Sequence, residues 1–189
     1  MGDYFTTITD VEATAEDAER LSENVGQRLI ERGIILANKT DCVLGVELGY
    51  PPGPNAREAI EDADQYFEER RTSGLDVVTA RHVQWTTQLE VWYPHCQYTM
   101  VHWSPPTPKE QENAWMAAVD EWYKGGAGLL RCPECGRSSS INEYQQGEFP
   151  WGFGNLACVF WNWDRLKPAF IEEIAALLGH KVVVSADKL

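Results

Sequence analysis

The stretch Cys132-Pro133-Glu134-Cys135-Gly136 limits the fold of this chain more than any other. Two Cys separated by two residues, with Pro inside and Gly after, make a tight knuckle that aims both sulfurs at one point. Gly136 suits the positive φ such a turn needs. An imperfect echo stands upstream at Tyr93-Pro94-His95-Cys96, with Tyr93 where a first Cys would be expected. If the two turns meet, they fasten distant parts of the chain together.

That juxtaposition would supply three sulfurs, from Cys96, Cys132 and Cys135, with His95 as the candidate fourth ligand and His102 or His82 as alternatives. Thiolate and imidazole together point to zinc. The opposing reading is a knuckle pair without metal, in which Tyr93 fills the ligand's place and the cysteines pack as small hydrophobes. A bound ion would be structural, because HExxH is absent and no nearby Glu has the spacing of a general base.

The chain holds five Cys, an odd number, and its start lacks the basic and apolar segments of an export signal. Reduced thiols in the cytoplasm are therefore expected, which makes paired Cys metal candidates before disulfide candidates. No apolar run reaches the ~18 residues of a membrane span. A net charge of −13 opposes binding to nucleic-acid phosphates or to an anionic membrane surface. Most of the excess acid lies before residue 71. Solubility is the plain reading of that bias. The sharper one is a negative face that steers a basic protein partner, with Glu16, Glu19, Glu23, Glu61 and Asp62 and the nearby Tyr50 as its contact residues.

Period and punctuation give the rest. Ala18, Leu21, Val25 and Leu29 recur at helical steps between Thr14 and Arg32, with Gly33 as the stop. Pro51, Pro52 and Pro54 force a stiff bend, and Asn55 begins a second acidic helix running toward Arg71. Leu75 to Thr79 opens a strand, and the period of two continues from Val83 to Trp92. The Tyr93 knuckle follows, then an antiparallel partner from Tyr98 to Trp103. A third helix over Lys109–Lys124 places Trp115, Ala118, Val119 and Trp122 on one face. Gly125-Gly126-Ala127-Gly128 follows that helix instead of preceding one, so it lacks the geometry of a phosphate loop. Ser138 to Ile141 reads as a short strand. Leu156 to Trp163 is apolar on both faces, as in a covered central strand. Leu166–Leu178, capped by Gly179, and the strand Lys181–Val184 suit a crossover between parallel strands.

The expectation is one α+β domain over residues 1–189: a mixed β-sheet flanked by four helices. Residues 93–136 carry the knuckles and an inserted helix. Cys42 is a lone loop thiol, G-x-S-x-G is absent, and Gly152-Phe153-Gly154 runs into a strand unlike a dinucleotide turn. Trp161 and Trp163 are expected on one face with Val159, as core or as an aromatic wall for a small ligand.

Cys132–Gly136 resembles the knuckle of a zinc ribbon, and the resemblance covers only that short module. Thr40–Gly45, Gly49–Pro54 and Gly152–Trp163 together resemble a group of small uncharacterised bacterial proteins without a known activity. The function expected is a non-catalytic, acidic protein-binding domain, of the kind that inhibits a basic bacterial toxin as an immunity protein. A small-molecule binder or enzyme using a Trp-lined pocket and a zinc-stabilised scaffold are the alternatives.

Overall fold

The fold, taken from a computed structural model, is described for residues 2–61, 72–84, 90–101, 108–147 and 150–189. In chain order the elements are β1 (Tyr4–Asp10), α1 (Ala15–Glu31), β2 (Gly74–Val78), β3 (His82–Gln84), β4 (Val91–Trp92), β5 (Thr99–Val101) and α2 (Lys109–Tyr123). They continue with β6 (Leu129–Arg131), β7 (Ser138–Ser140), β8 (Gln145–Gln146), β9 (Gly152–Gly154), β10 (Leu156–Trp161), α3 (Pro168–Leu178) and β11 (Val182–Lys188).

The principal sheet has the order β11-β1-β10-β2, and each neighbouring pair is antiparallel. Strands β1 and β2 therefore run parallel with β10 between them, and β10 and β11 run parallel with β1 between them. A helix-bearing connection joins each of these parallel pairs. This is the split βαβ, or ferredoxin-like, arrangement. The crossover expected through α3 is present, threaded past β1. Everything from β3 to β9, including α2 and both knuckles, is inserted between β2 and β10.

Helix α1 follows its sequence pattern. Thr14 caps it by accepting the Asp17 N–H at 3.1 Å, and Ala18, Leu21, Val25 and Leu29 are buried. Those side chains meet Ile8, Leu156, Cys158, Phe160, Trp163, Phe170 and Ile174 in one core between the helices and the sheet. Arg32 ties the end of α1 to Glu173 of α3 and to Glu58. Gly26 is buried in α1, yet a methyl there would meet nothing nearer than the Tyr50 hydroxyl at 4.0 Å. Gly26→Ala is thus expected to stabilise the protein by about 0.5–1 kcal/mol in urea unfolding. A destabilised variant would mean that Tyr50 packs more tightly on α1 than these contacts allow.

The insert has its own aromatic core. Trp115 of α2 lies 5.8–5.9 Å from the rings of Tyr144, Trp151 and Phe153, and Trp122 lies 5.8 Å from Phe153. The glycine-rich loop after α2 is held by neighbours. Arg81 donates to the carbonyls of Gly125 and Gly126 while stacking over Trp122, and Glu121 accepts the N–H groups of Ala127 and Gly128. Its amides are already used, in agreement with the expectation that it is no phosphate loop.

Four sequence expectations need correction or refinement. Tyr4–Asp10, given no element from the sequence, is an inner strand of the principal sheet. Trp163 does not share a face with Trp161. Asn162 takes a positive φ of 55°, which breaks the strand alternation. Trp161 consequently packs on Phe5 at 5.0 Å, and Trp163 turns to Phe160 at 5.2 Å on the helix side. The run Val83–Trp92 contributes two short strands to different sheets, with residues 85–89 outside the described part. The second acidic helix begins only as a single 3-10 turn at Ala56–Glu58; residues 62–71 lie outside the described part. Three α-helices are present among the described residues, and the α+β class holds.

Candidate metal centre

The two knuckles are the turns of two hairpins, β4–β5 and β6–β7. Their backbones match position by position. In the first, Tyr93 N–H donates to Tyr98 O at 3.0 Å and Gln97 N–H to Tyr93 O at 3.1 Å. In the second, Cys132 N–H donates to Arg137 O at 2.8 Å and Gly136 N–H to Cys132 O at 3.0 Å. Gln97 and Gly136 both have positive φ, 59° and 70°. Tyr93-Pro94-His95-Cys96-Gln97 is therefore the structural counterpart of Cys132-Pro133-Glu134-Cys135-Gly136. The role of Gln97 was missed from the sequence; aligning the two pentapeptides residue by residue reveals it. A left-handed backbone costs a residue with a side chain about 1–2 kcal/mol. Gln97→Gly is expected to recover roughly 1 kcal/mol of that in a thermal melt.

The knuckles bring the cysteines together. The sulfurs of Cys96, Cys132 and Cys135 all lie within 4.8 Å of one another, with Cys96 Sγ to Cys132 Sγ at 3.4 Å. Tetrahedral zinc with bonds of about 2.3 Å holds its sulfurs about 3.8 Å apart, so the donor set fits such an ion. Cys132 is buried, whereas Cys96 and Cys135 are exposed. Burial opposes ionisation of Cys132. The N–H groups of Cys135 and Glu134 and the flanking thiols outweigh it, and the thiol sits below its ordinary pKa. At Cys96 the Tyr98 N–H favours the thiolate, but desolvation and the neighbouring sulfurs prevail and raise it. One thiol of the cluster thus ionises ahead of the other, as expected of closely spaced thiols that titrate together.

Neither His95 nor His82 joins this group. His95 Nε2 lies 2.9 Å from Ser139 Oγ and is not part of the sulfur cluster. His82 sits on β3 opposite Gly154, also outside the cluster, and His102 is outside the described residues. Tyr93 is buried, with its ring 4.9 Å from Tyr144 and its hydroxyl donating to Arg131 O at 3.1 Å. Burial, reinforced by Cys132, pushes its phenol up to about 12.

The remaining cysteines are packing groups. Cys42 is buried beside Phe5, Val159 and Trp161. Cys158 lies fully inside the sheet, where burial pushes its thiol up to about 12. Glu16, Glu19 and Glu23 are exposed on α1. Tyr50 is half-buried against the α1 core with Lys39 Nζ 4.6 Å above its ring. Glu61 faces Arg165 Nε at 3.8 Å, and Asp62 is outside the described residues. Five of the tryptophans, Trp115, Trp122, Trp151, Trp161 and Trp163, are buried in cores. Among the described residues no helix is long and apolar enough to cross a membrane. Compared with known proteins, the chain matches no protein-family model, no curated sequence and no solved structure.

Proposed function

We propose that the chain is a non-catalytic binding protein whose insert is fastened by one zinc ion on Cys96, Cys132 and Cys135. The observation that carries this reading is the approach of three sulfurs on two matched knuckles. Zinc suits it because the donors are soft thiolates and the ion imposes no strict geometry of its own. When bound, it would cross-link the two hairpins. The chain's part is to orient the sulfurs through knuckle N–H groups, such as Cys135 N–H on Cys132 Sγ at 3.4 Å. Metal analysis of protein purified without chelator tests this. One zinc per chain is expected, and a metal-free, fully folded protein would refute it.

For the binding partner, the net charge of −13 and the exposed carboxylates of α1 favour a basic protein, such as a bacterial toxin held inactive. Arg20 and Arg28 interrupt that face, and Arg20 pairs with Asp17 at 2.8 Å, so its charge is mixed at the helix centre. Co-purification with the basic product of a neighbouring coding region is the direct test. The complex should weaken as salt rises, and weaken further when Glu16, Glu19 and Glu23 are replaced by Lys. Affinity indifferent to both changes would remove the basis of this reading.

A further inference from the structure

We infer that the fourth coordination position of this centre, which no described residue fills, is taken by an external thiolate. The inference rests on the zinc reading and adds a ligand class to it. The matched knuckles identify the missing donor: residue 93 occupies the position that Cys132 holds in the second hairpin. Its occupant is a phenol turned into the aromatic core, with its hydroxyl spent on Arg131 O. Tyr93 therefore cannot serve as a ligand without breaking the packing that places it.

His95 is the next nearest candidate in sequence, and its ring is outside the three-sulfur group, with Nε2 against the hydroxyl of Ser139, a buried residue of β7. A ring nitrogen held by a strand hydroxyl has a defined resting place, and the cluster assembles without it. Among the described residues the site thus has three donors where tetrahedral zinc wants four. An ion so held would keep an exchangeable position, open to water until another donor arrives.

The site's setting selects the incoming donor. Two of its three cysteines are exposed residues, which puts the centre near the protein surface. Three thiolates on a divalent ion leave one negative charge, and a fourth leaves two. The exposed Arg131 and Arg137 flank the knuckle and offset that charge, against the single carboxylate of Glu134. Arg131 is anchored there by donating from Nε to Gly136 O at 3.1 Å. On binding, the incoming thiol loses its proton to solvent, its sulfur bonds to the metal, and the water leaves. The source is either a free small thiol or a cysteine side chain of a partner.

Cobalt(II) substitution of the full chain tests the inference, because thiolate-to-cobalt absorption counts sulfurs and reports geometry. The expected spectrum is that of three thiolates. It should be the same in His95→Ala and His102→Ala, and it should move to a four-thiolate form as 2-mercaptoethanol is titrated in. A spectrum altered by either His substitution, or one unmoved by 2-mercaptoethanol, would overturn the inference while leaving the metal centre standing. Absence of any thiolate-to-cobalt band would instead remove the metal reading beneath it. Repeating the titration with a short cysteine peptide separates the sources. Response to 2-mercaptoethanol alone restricts the position to a free thiol, and response to both extends it to a partner's cysteine.

Discussion

Gly154→Ala is expected to lower the melting temperature by about 10 °C, corresponding to roughly 3 kcal/mol of destabilisation in a chain of this size. Strand β9 crosses β1 so closely that a methyl on residue 154 would sit on the carbonyl oxygen of Asp10 and 2.7 Å from Thr9 Cγ2. Gly152 repeats the approach, since a Cβ there would lie 2.5 Å from Thr9 Oγ1. Retreat is blocked on both sides. Asp10 lies on an inner strand, its carboxylate accepts the N–H groups of Glu12 and Ala13, and its second oxygen meets His180 Nδ1 at 2.9 Å. On the other side, Phe153 is locked into the aromatic core of the insert. The variant therefore strains the seam where insert and principal sheet meet. A melting temperature within about 2 °C of the parent protein would show that β9 can lift away.

That seam also shows why some of the fold was legible in the sequence and some was not. Helices α1, α2 and α3 appear close to their expected limits because each has an apolar stripe at helical spacing that one core absorbs. Strand β10 was readable for the opposite reason: it is covered on both faces, and all of its residues are apolar. Strand β1 is also an inner strand, but among its buried residues are Thr7, Thr9 and Asp10. Thr9 reads as solvent-facing until the glycines of β9 are laid over it. The reversal of Trp163 depends on one backbone angle at Asn162, which no hydrophobic pattern encodes. The three sulfurs were legible because a Cys-Pro-x-Cys-Gly knuckle carries its own geometry. His95 was not, because its direction depends on where Ser139 lies across the hairpin interface.

Cys132→Ser is the substitution expected to have the largest effect on the centre. Small zinc modules bind their ion with about 10–16 kcal/mol, which spread over four donors is about 2.5–4 kcal/mol each. Losing one sulfur should thus weaken zinc binding about 100- to 1000-fold, measured by competition with a chromophoric chelator. The hydroxyl of Ser is a harder donor that stays protonated near neutrality, so it does not replace the thiolate. Cys132 carries a second role that Cys135 lacks. It is buried in the insert core with Tyr93, Tyr144 and Leu130, whereas Cys135 is exposed. Cys135→Ser should therefore weaken zinc binding to a similar degree yet leave the metal-free protein as stable as its parent. Cys132→Ser should lower both, because it also puts a hydroxyl among apolar rings. The loss should begin in the insert, since α1, α3 and the principal sheet are joined through a separate core. Limited proteolysis is expected to cut between residues 79 and 151 first, while the helical signal of α1 and α3 persists. Equal zinc affinity in Cys132→Ser and the parent would dissolve the centre, and simultaneous loss of all helical signal would show that the two cores unfold as one.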